Sequence, residues 1–118
     1  MKAKEIRNGL LNEMGISVRR KNEGANWDKC NVSFDVTPGK NGTSAFFVTF
    51  QTKRKPDIVK ALTEVKSAAR KLGVPMRRMR KYNSNRTDAP RIKYDYKRYA
   101  IDKKGPKVWH LDLQISYL

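Results

Sequence analysis

The spacing of apolar residues changes twice along this chain, from two to about 3.6 and back, and few folds accommodate that order. Val32, Phe34 and Val36 alternate with Ser33 and Asp35, and Phe46, Val48 and Phe50 repeat the alternation after Pro38-Gly39-Lys40-Asn41-Gly42. Side chains of a strand point to opposite faces in turn, so the two runs predict a hairpin around a Pro-Gly and Asn-Gly turn. Ile58, Leu62, Val65, Ala69 and Leu72 then follow at spacings of 4, 3, 4 and 3, with Val59 and Ala68 widening the face. That is one side of a helix. Pro56 suits its first turn, Asp57 its positive end and Gly73 its stop. Two more alternating runs close the chain. Ile92, Tyr94 and Tyr96 oppose Lys93, Asp95, Lys97 and Tyr99. Beyond a turn at Asp102–Pro106, Trp109, Leu111, Leu113, Ile115 and Tyr117 oppose His110, Asp112, Gln114 and Ser116.

Antiparallel hairpins with one apolar face need a cover, and the helix between them supplies it. The expectation is an α+β fold: a twisted, mainly antiparallel sheet of four or five strands packed against a central helix. Ile6, Leu10 and Met14, with Leu11 beside them, add a short N-terminal helix ending at Gly15. All 118 residues are expected to form a single basic domain, 1–118. The regular final run suggests a place at the sheet centre. Ile16–Arg20 reads as a brief strand, Arg19–Asn31 as a loop carrying Trp27, and Asn83–Pro90 as another loop. Met76–Tyr82 fits either a short helix or an extended arm. Phe47 points away from Phe46, so its strand is covered on both sides or bulged.

Several classes are excluded at this level. No run of apolar residues is long enough to span a bilayer, and Met1–Gly15 has no signal-peptide core. Cys30 is the only cysteine and His110 the only histidine, so neither an internal disulfide nor a cysteine-based zinc site is expected. A buried or half-buried free thiol suits a reducing, cytoplasmic setting. No cofactor is expected.

Charge narrows the function. Lys and Arg number 27 against 11 Asp and Glu, a formal net charge of +16. After Val65 the chain carries 15 basic residues and 4 acidic ones, against 12 and 7 before it. Solubility does not call for so concentrated a field of one sign. The densest run is Arg77-Arg78-Met79-Arg80-Lys81, preceded by Arg70 and Lys71 and followed by Arg86. Arginine's planar fork favours bidentate contact with phosphate. Lys93 and Lys97 extend a basic strip over the outer sheet face, with Asp95 holding one of them in place. Tyr82 and Tyr99 are the candidates for base stacking, whereas Tyr94, Tyr96 and Trp109 read as core.

Catalytic patterns are weaker. His110 and Asp112 share a strand face, as do Lys93 and Asp95, and a favourable register would gather them into an acid–base or metal cluster. A cross-strand salt-bridge ladder is the simpler account. Asp57 with Glu64-Val65-Lys66 superficially resembles the acidic–lysine pattern of PD-(D/E)xK nucleases, but those enzymes present their acids from strands. Here both acids fall in the predicted helix, Glu64 as a partner for Lys60. In size and charge the chain resembles small basic phage-like accessory proteins, a likeness that assigns no site. The leading expectation is therefore a non-enzymatic binder of DNA or RNA. It would use Arg70, Lys71, Arg77, Arg78, Arg80, Lys81, Tyr82, Arg86, Lys93, Lys97 and Tyr99, with no membrane involvement. The alternative is a small inhibitor or assembly factor that docks on an acidic protein or nucleoprotein complex.

Overall fold

The structure, a computed structural model, describes residues 2–17, 24–39, 44–79, 91–100 and 102–116. Helix α1 (Ala3–Glu13) is followed by strands β1 (Ala25–Trp27), β2 (Cys30–Thr37) and β3 (Ala45–Thr52). Helix α2 (Lys55–Leu72), then β4 (Met76–Arg78), β5 (Arg91–Tyr99) and β6 (Val108–Ser116) complete the chain. The strands form one mixed sheet in the order β1-β2-β3-β6-β5-β4. Every neighbouring pair is antiparallel except β4 with β5, which is parallel.

The α+β class, the two helices and the central position of the last strand follow the sequence pattern. The sheet has six strands, where the alternating runs suggest four or five. The additional β1 and β4 are three-residue edge strands, too short to carry a period. Trp27 thus belongs to a strand and not to a loop. It faces Cys30 across a tight turn in which Asp28 takes a left-handed φ of 51°. Met76–Arg78 is extended. Phe47 needs neither a bulge nor a second layer: pairing with β2 runs unbroken from Ala45 to Gln51, and Phe47 is half-buried between Asp35 and Gln114.

Register sorts the side chains into two faces. On one, Val36, Phe46, Ile115, Ile92 and Met76 lie in a row across the sheet, as do Phe34, Val48, Leu113 and Tyr94. Val32, Phe50, Leu111 and Tyr96 make the next row. Both helices cover this face. Helix α1 buries Ala3, Ile6, Leu10 and Leu11, and α2 buries Ile58, Ala61, Val65, Ala68 and Ala69. Burying each large aliphatic side chain contributes about 1.5–3 kcal/mol. The contact face of α2 is rotated from the predicted stripe: Leu62 and Leu72 are only half-buried and Val59, expected to widen the stripe, is 46% exposed, while Ala61 is fully packed alongside the expected Ala68. Alanines let the helix axis approach the sheet. Leu72 turns instead toward α1, where a Cβ on Gly9 would come within 3.1 Å of its Cδ2.

Helix ends follow the sequence closely. Gly15 and Gly73 take left-handed φ values of 73° and 70°, Pro56 lies in the first turn of α2, and Asp57 is the acidic residue there. Helix α2 packs mainly over β2, β3 and β6, and α1 over β3 and β6, so β4 and the part of β5 beyond the fully buried Ile92 overhang the main helical cover. That overhang is what shapes the candidate site. Among the described residues no helix is long and apolar enough to cross a membrane.

Candidate functional site

The helix-free face of the sheet carries Arg77 of β4 and Arg91, Lys93, Asp95, Lys97 and Tyr99 of β5. Arg77 is exposed and sits beside Lys93 in the parallel register. The strip does not continue as the sequence suggests. Lys93 is only 5% exposed, and burial, with Arg91 nearby, lowers its pKa from the ordinary 10.5. Tyr99 stacks on His110 with ring centroids 3.8 Å apart and planes 12° from parallel. One face of Tyr99 is therefore already covered by the imidazole. Lys97 is exposed, with its Nζ 5.4 Å from the Tyr99 ring centroid. Arg80, Lys81, Tyr82 and Arg86 lie outside the described residues, as does Tyr117.

The β5–β6 register settles the fate of the titratable cluster. Asp95 lies directly opposite Asp112, Lys93 opposite Gln114 and Lys97 opposite His110. Like charges face one another, and among the described residues no ion pair links β5 to β6, so the expected salt-bridge ladder does not form. Asp112 instead accepts a hydrogen bond from Thr49 Oγ1 at 3.1 Å. Asp95 accepts one from the Tyr96 backbone N–H at 2.9 Å and pairs with Arg78 Nε at 3.7 Å, not with a lysine. The Tyr96 N–H points toward the β4 side of the sheet just past the end of β4, so the carboxylate satisfies a donor the ladder leaves over. Among the described residues no three His, Cys, Asp or Glu side chains are grouped to hold a metal ion. His110 is 1% exposed and neither ring nitrogen has a well-formed hydrogen bond.

On the helix side, the overhang of β5 and β4 makes a trough along α2. Its walls and floor are Lys66, Ala69 and Arg70 of α2, with Val74, Met76 and Tyr94, enclosing about 390 Å³. Three half-buried aromatic rings lie on this side of the sheet in successive rows: Tyr94 in the trough, then Tyr96 of β5, then Trp109 at the start of β6. Each carries a cation. Lys55 Nζ lies 5.4 Å from the Trp109 centroid, Arg78 Cζ 5.1 Å from Tyr96 and Lys66 Nζ 5.3 Å from Tyr94. The ring quadrupole attracts the charge, while the exposed side chains keep their polar heads in water. These rings were expected to be plain core residues. They pack against the core with one side and hold cations at the rim with the other.

The remaining predicted residues divide between free and engaged. Arg70 is exposed on the trough wall. Lys71 pairs with Glu13 of α1 at 3.6 Å, and Lys60 pairs with Asp28 at 3.3 Å in place of Glu64. Lys55 and Lys66 were missed from sequence. Their only signal was a shared helical side with Leu62 and Arg70, which gains meaning once β5 is known to lie alongside.

Cys30 is buried, its thiol 3.8 Å from the Asp57 carbonyl oxygen. Burial first, then Asp57 and Asp28, pushes its pKa up to about 11, which keeps it a protonated core residue at neutral pH. A second hollow of about 290 Å³ lies by the β1 edge, lined by Gly24, Ala25, Asn26, Asn31, Val32, Ser33 and Gln51. None of these lining residues is charged. Comparison of the chain with protein families, characterised proteins and solved structures finds no match.

Proposed function

We propose that this protein is a non-enzymatic nucleic-acid-binding protein whose contact surface is the trough between α2 and the β4–β5 overhang together with the sheet surface that continues from it past Tyr96 to Trp109. The observation that carries the reading is the row of three aromatic rings, Trp109, Tyr96 and Tyr94, each holding an exposed cation. A ring under an ammonium or guanidinium fixes where the charge sits without consuming its hydrogen-bond donors. Those of Lys55 and Lys66 are then free for phosphate oxygens, and Arg78, whose Nε is 3.7 Å from Asp95, keeps its terminal amino groups for them. Arg70 adds a cation on the same wall, and Arg77 lies on the opposite face of the β4 edge. A net charge of +16 favours encounter with any polyanion, and the trough gives that attraction a location.

The test is a pair of triple substitutions of equal charge. Lys55→Gln, Lys66→Gln and Arg78→Gln together should weaken binding to several unrelated sequences by similar factors, because phosphate contacts carry no sequence information. The slope of log affinity against log salt should fall by roughly 2–3, about one unit per lost contact. Removing Lys2, Lys4 and Lys103 should change it far less. Equal losses from the two variants would mean that net charge alone carries binding. Binding to neither DNA nor RNA at low salt would sink the reading and favour an acidic protein partner.

A further inference from the structure

We infer that the trough takes an unpaired polynucleotide strand, a conclusion that rests on the proposed nucleic-acid reading and narrows its ligand. A duplex has two ways to meet this face, and the structure suits neither. A major groove about 12 Å wide admits a helix, so α2 would have to enter it. The outward side of α2, however, carries Glu64, and two of its cations are already tied down, Lys60 by Asp28 at 3.3 Å and Lys71 by Glu13 at 3.6 Å. Alternatively a phosphate ridge could lie along the trough. The rings would then have nothing to stack on, since base faces within a duplex are covered by their neighbours.

A single strand matches what the trough offers. Tyr94 and Tyr96 project from the same sheet face two residues apart, about 6.7 Å along the strand. An extended polynucleotide can present one base to each. Stacking on a ring is tolerant of sequence because every base has a π-face. The groove lining, Lys66, Ala69, Arg70, Val74, Met76 and Tyr94, is cationic and apolar, and among these residues none is an amide or carboxylate that could read a base edge; Asp95 lies outside it, beside Arg78 and the Tyr96 backbone. In the free protein Lys66 and Arg78 rest over the tyrosine rings at 5.3 and 5.1 Å. Both side chains are exposed; Lys66 can swing from ring face to phosphate as a base takes its place, whereas Arg78 keeps its Nε on Asp95 at 3.7 Å and can turn only its terminal amino groups to phosphate. The same cation thus shields the ring when the trough is empty and neutralises the backbone when it is full.

The experiment titrates wild-type protein with four ligands of about 20 nucleotides at one salt concentration, oligo(dT), oligo(rU) and the DNA and RNA duplexes of mixed sequence. A Trp27→Phe background isolates emission from Trp109. Either single strand should bind at least about tenfold more tightly than both duplexes and quench Trp109, and the tighter of the two identifies the preferred sugar. Tyr94→Leu and Tyr96→Leu should each cost the single strand about tenfold and leave weak duplex binding unchanged. Because the comparison of ligands uses wild-type protein, it stands even if either variant folds poorly. Duplex binding as tight as single-strand binding, or no response at Trp109, overturns this inference and leaves the nucleic-acid reading in place. No binding to any of the four removes both.

Discussion

At His110 the sheet buries an imidazole between Tyr99 and the β3 register partner Gln51 without a well-formed hydrogen bond to either ring nitrogen. Leaving a buried polar group unsatisfied costs about 1–3 kcal/mol. Burial lowers the ring's pKa from the ordinary 6.5, and Lys97 across the strand acts the same way. Asp112 and the Tyr99 backbone oppose them with less effect. The unfolded chain therefore takes up the proton more readily than the folded one. Stability from this residue is complete above the ordinary value of 6.5 and is lost as pH falls through it toward the depressed folded value. The urea midpoint should drop between about pH 7.5 and about pH 5.5, and His110→Phe, which keeps a ring against Tyr99, should drop by less. An equal drop in both would place the titration elsewhere.

Helix α2 shows how far an apolar period can be trusted. Its existence, its two ends and the burial of Ile58, Val65 and Ala69 were all legible in the sequence. Its rotation was not, because large side chains dominate a periodicity while close packing on a sheet favours small ones. Ala61 joined the expected Ala68 in the contact, Leu62 moved toward the rim and Val59 out into solvent. Ile58→Ala should therefore cost about 2–5 kcal/mol in equilibrium urea unfolding, and Leu62→Ala distinctly less. Comparable losses would return Leu62 to the centre of the interface. The edge strands were illegible for another reason. Ala25–Trp27 and Met76–Arg78 are too short to alternate visibly, and the second presents arginines that resemble a solvated linker. The trough depends on that segment, for which the sequence left a short helix and an extended arm both open. Its cation–ring pairs join Lys55 to Trp109, Lys66 to Tyr94 and Arg78 to Tyr96, partners brought together only by strand order. Conversely, the basic strip over Lys93 and Tyr99 was read from alternation alone, which cannot reveal that one is buried and the other stacked on a histidine.

For the molecule as a whole, +16 on 118 residues is a standing self-repulsion. The described surface has few ion pairs to offset it: Lys60–Asp28, Lys71–Glu13 and Arg78–Asp95, all at least half-exposed on the basic side. Such pairs contribute little. Screening should consequently stabilise the fold, so the urea midpoint of the free protein should rise between about 20 mM and about 300 mM sodium chloride. A midpoint that fell over this range would mean that attractive pairs outweigh repulsion.

The two three-residue edge strands give the sheet the outline of a parallelogram. Strand β1 covers only the Cys30–Val32 end of β2, and β4 only the Ile92–Tyr94 end of β5. Among the described residues, the halves of β2 and β5 left without a partner strand lie at opposite corners. At one of them Asp95 folds back on the Tyr96 N–H and holds Arg78 beside it, placing charge where another chain's strand would have to pair. At the other corner, beyond Val32, the exposed Ser33, Asp35 and Thr37 line the open edge. Mutual repulsion between copies guards both openings at a distance, and salt removes that guard while it strengthens each fold. Raising ionic strength should therefore strengthen each fold while weakening the repulsion that keeps copies apart.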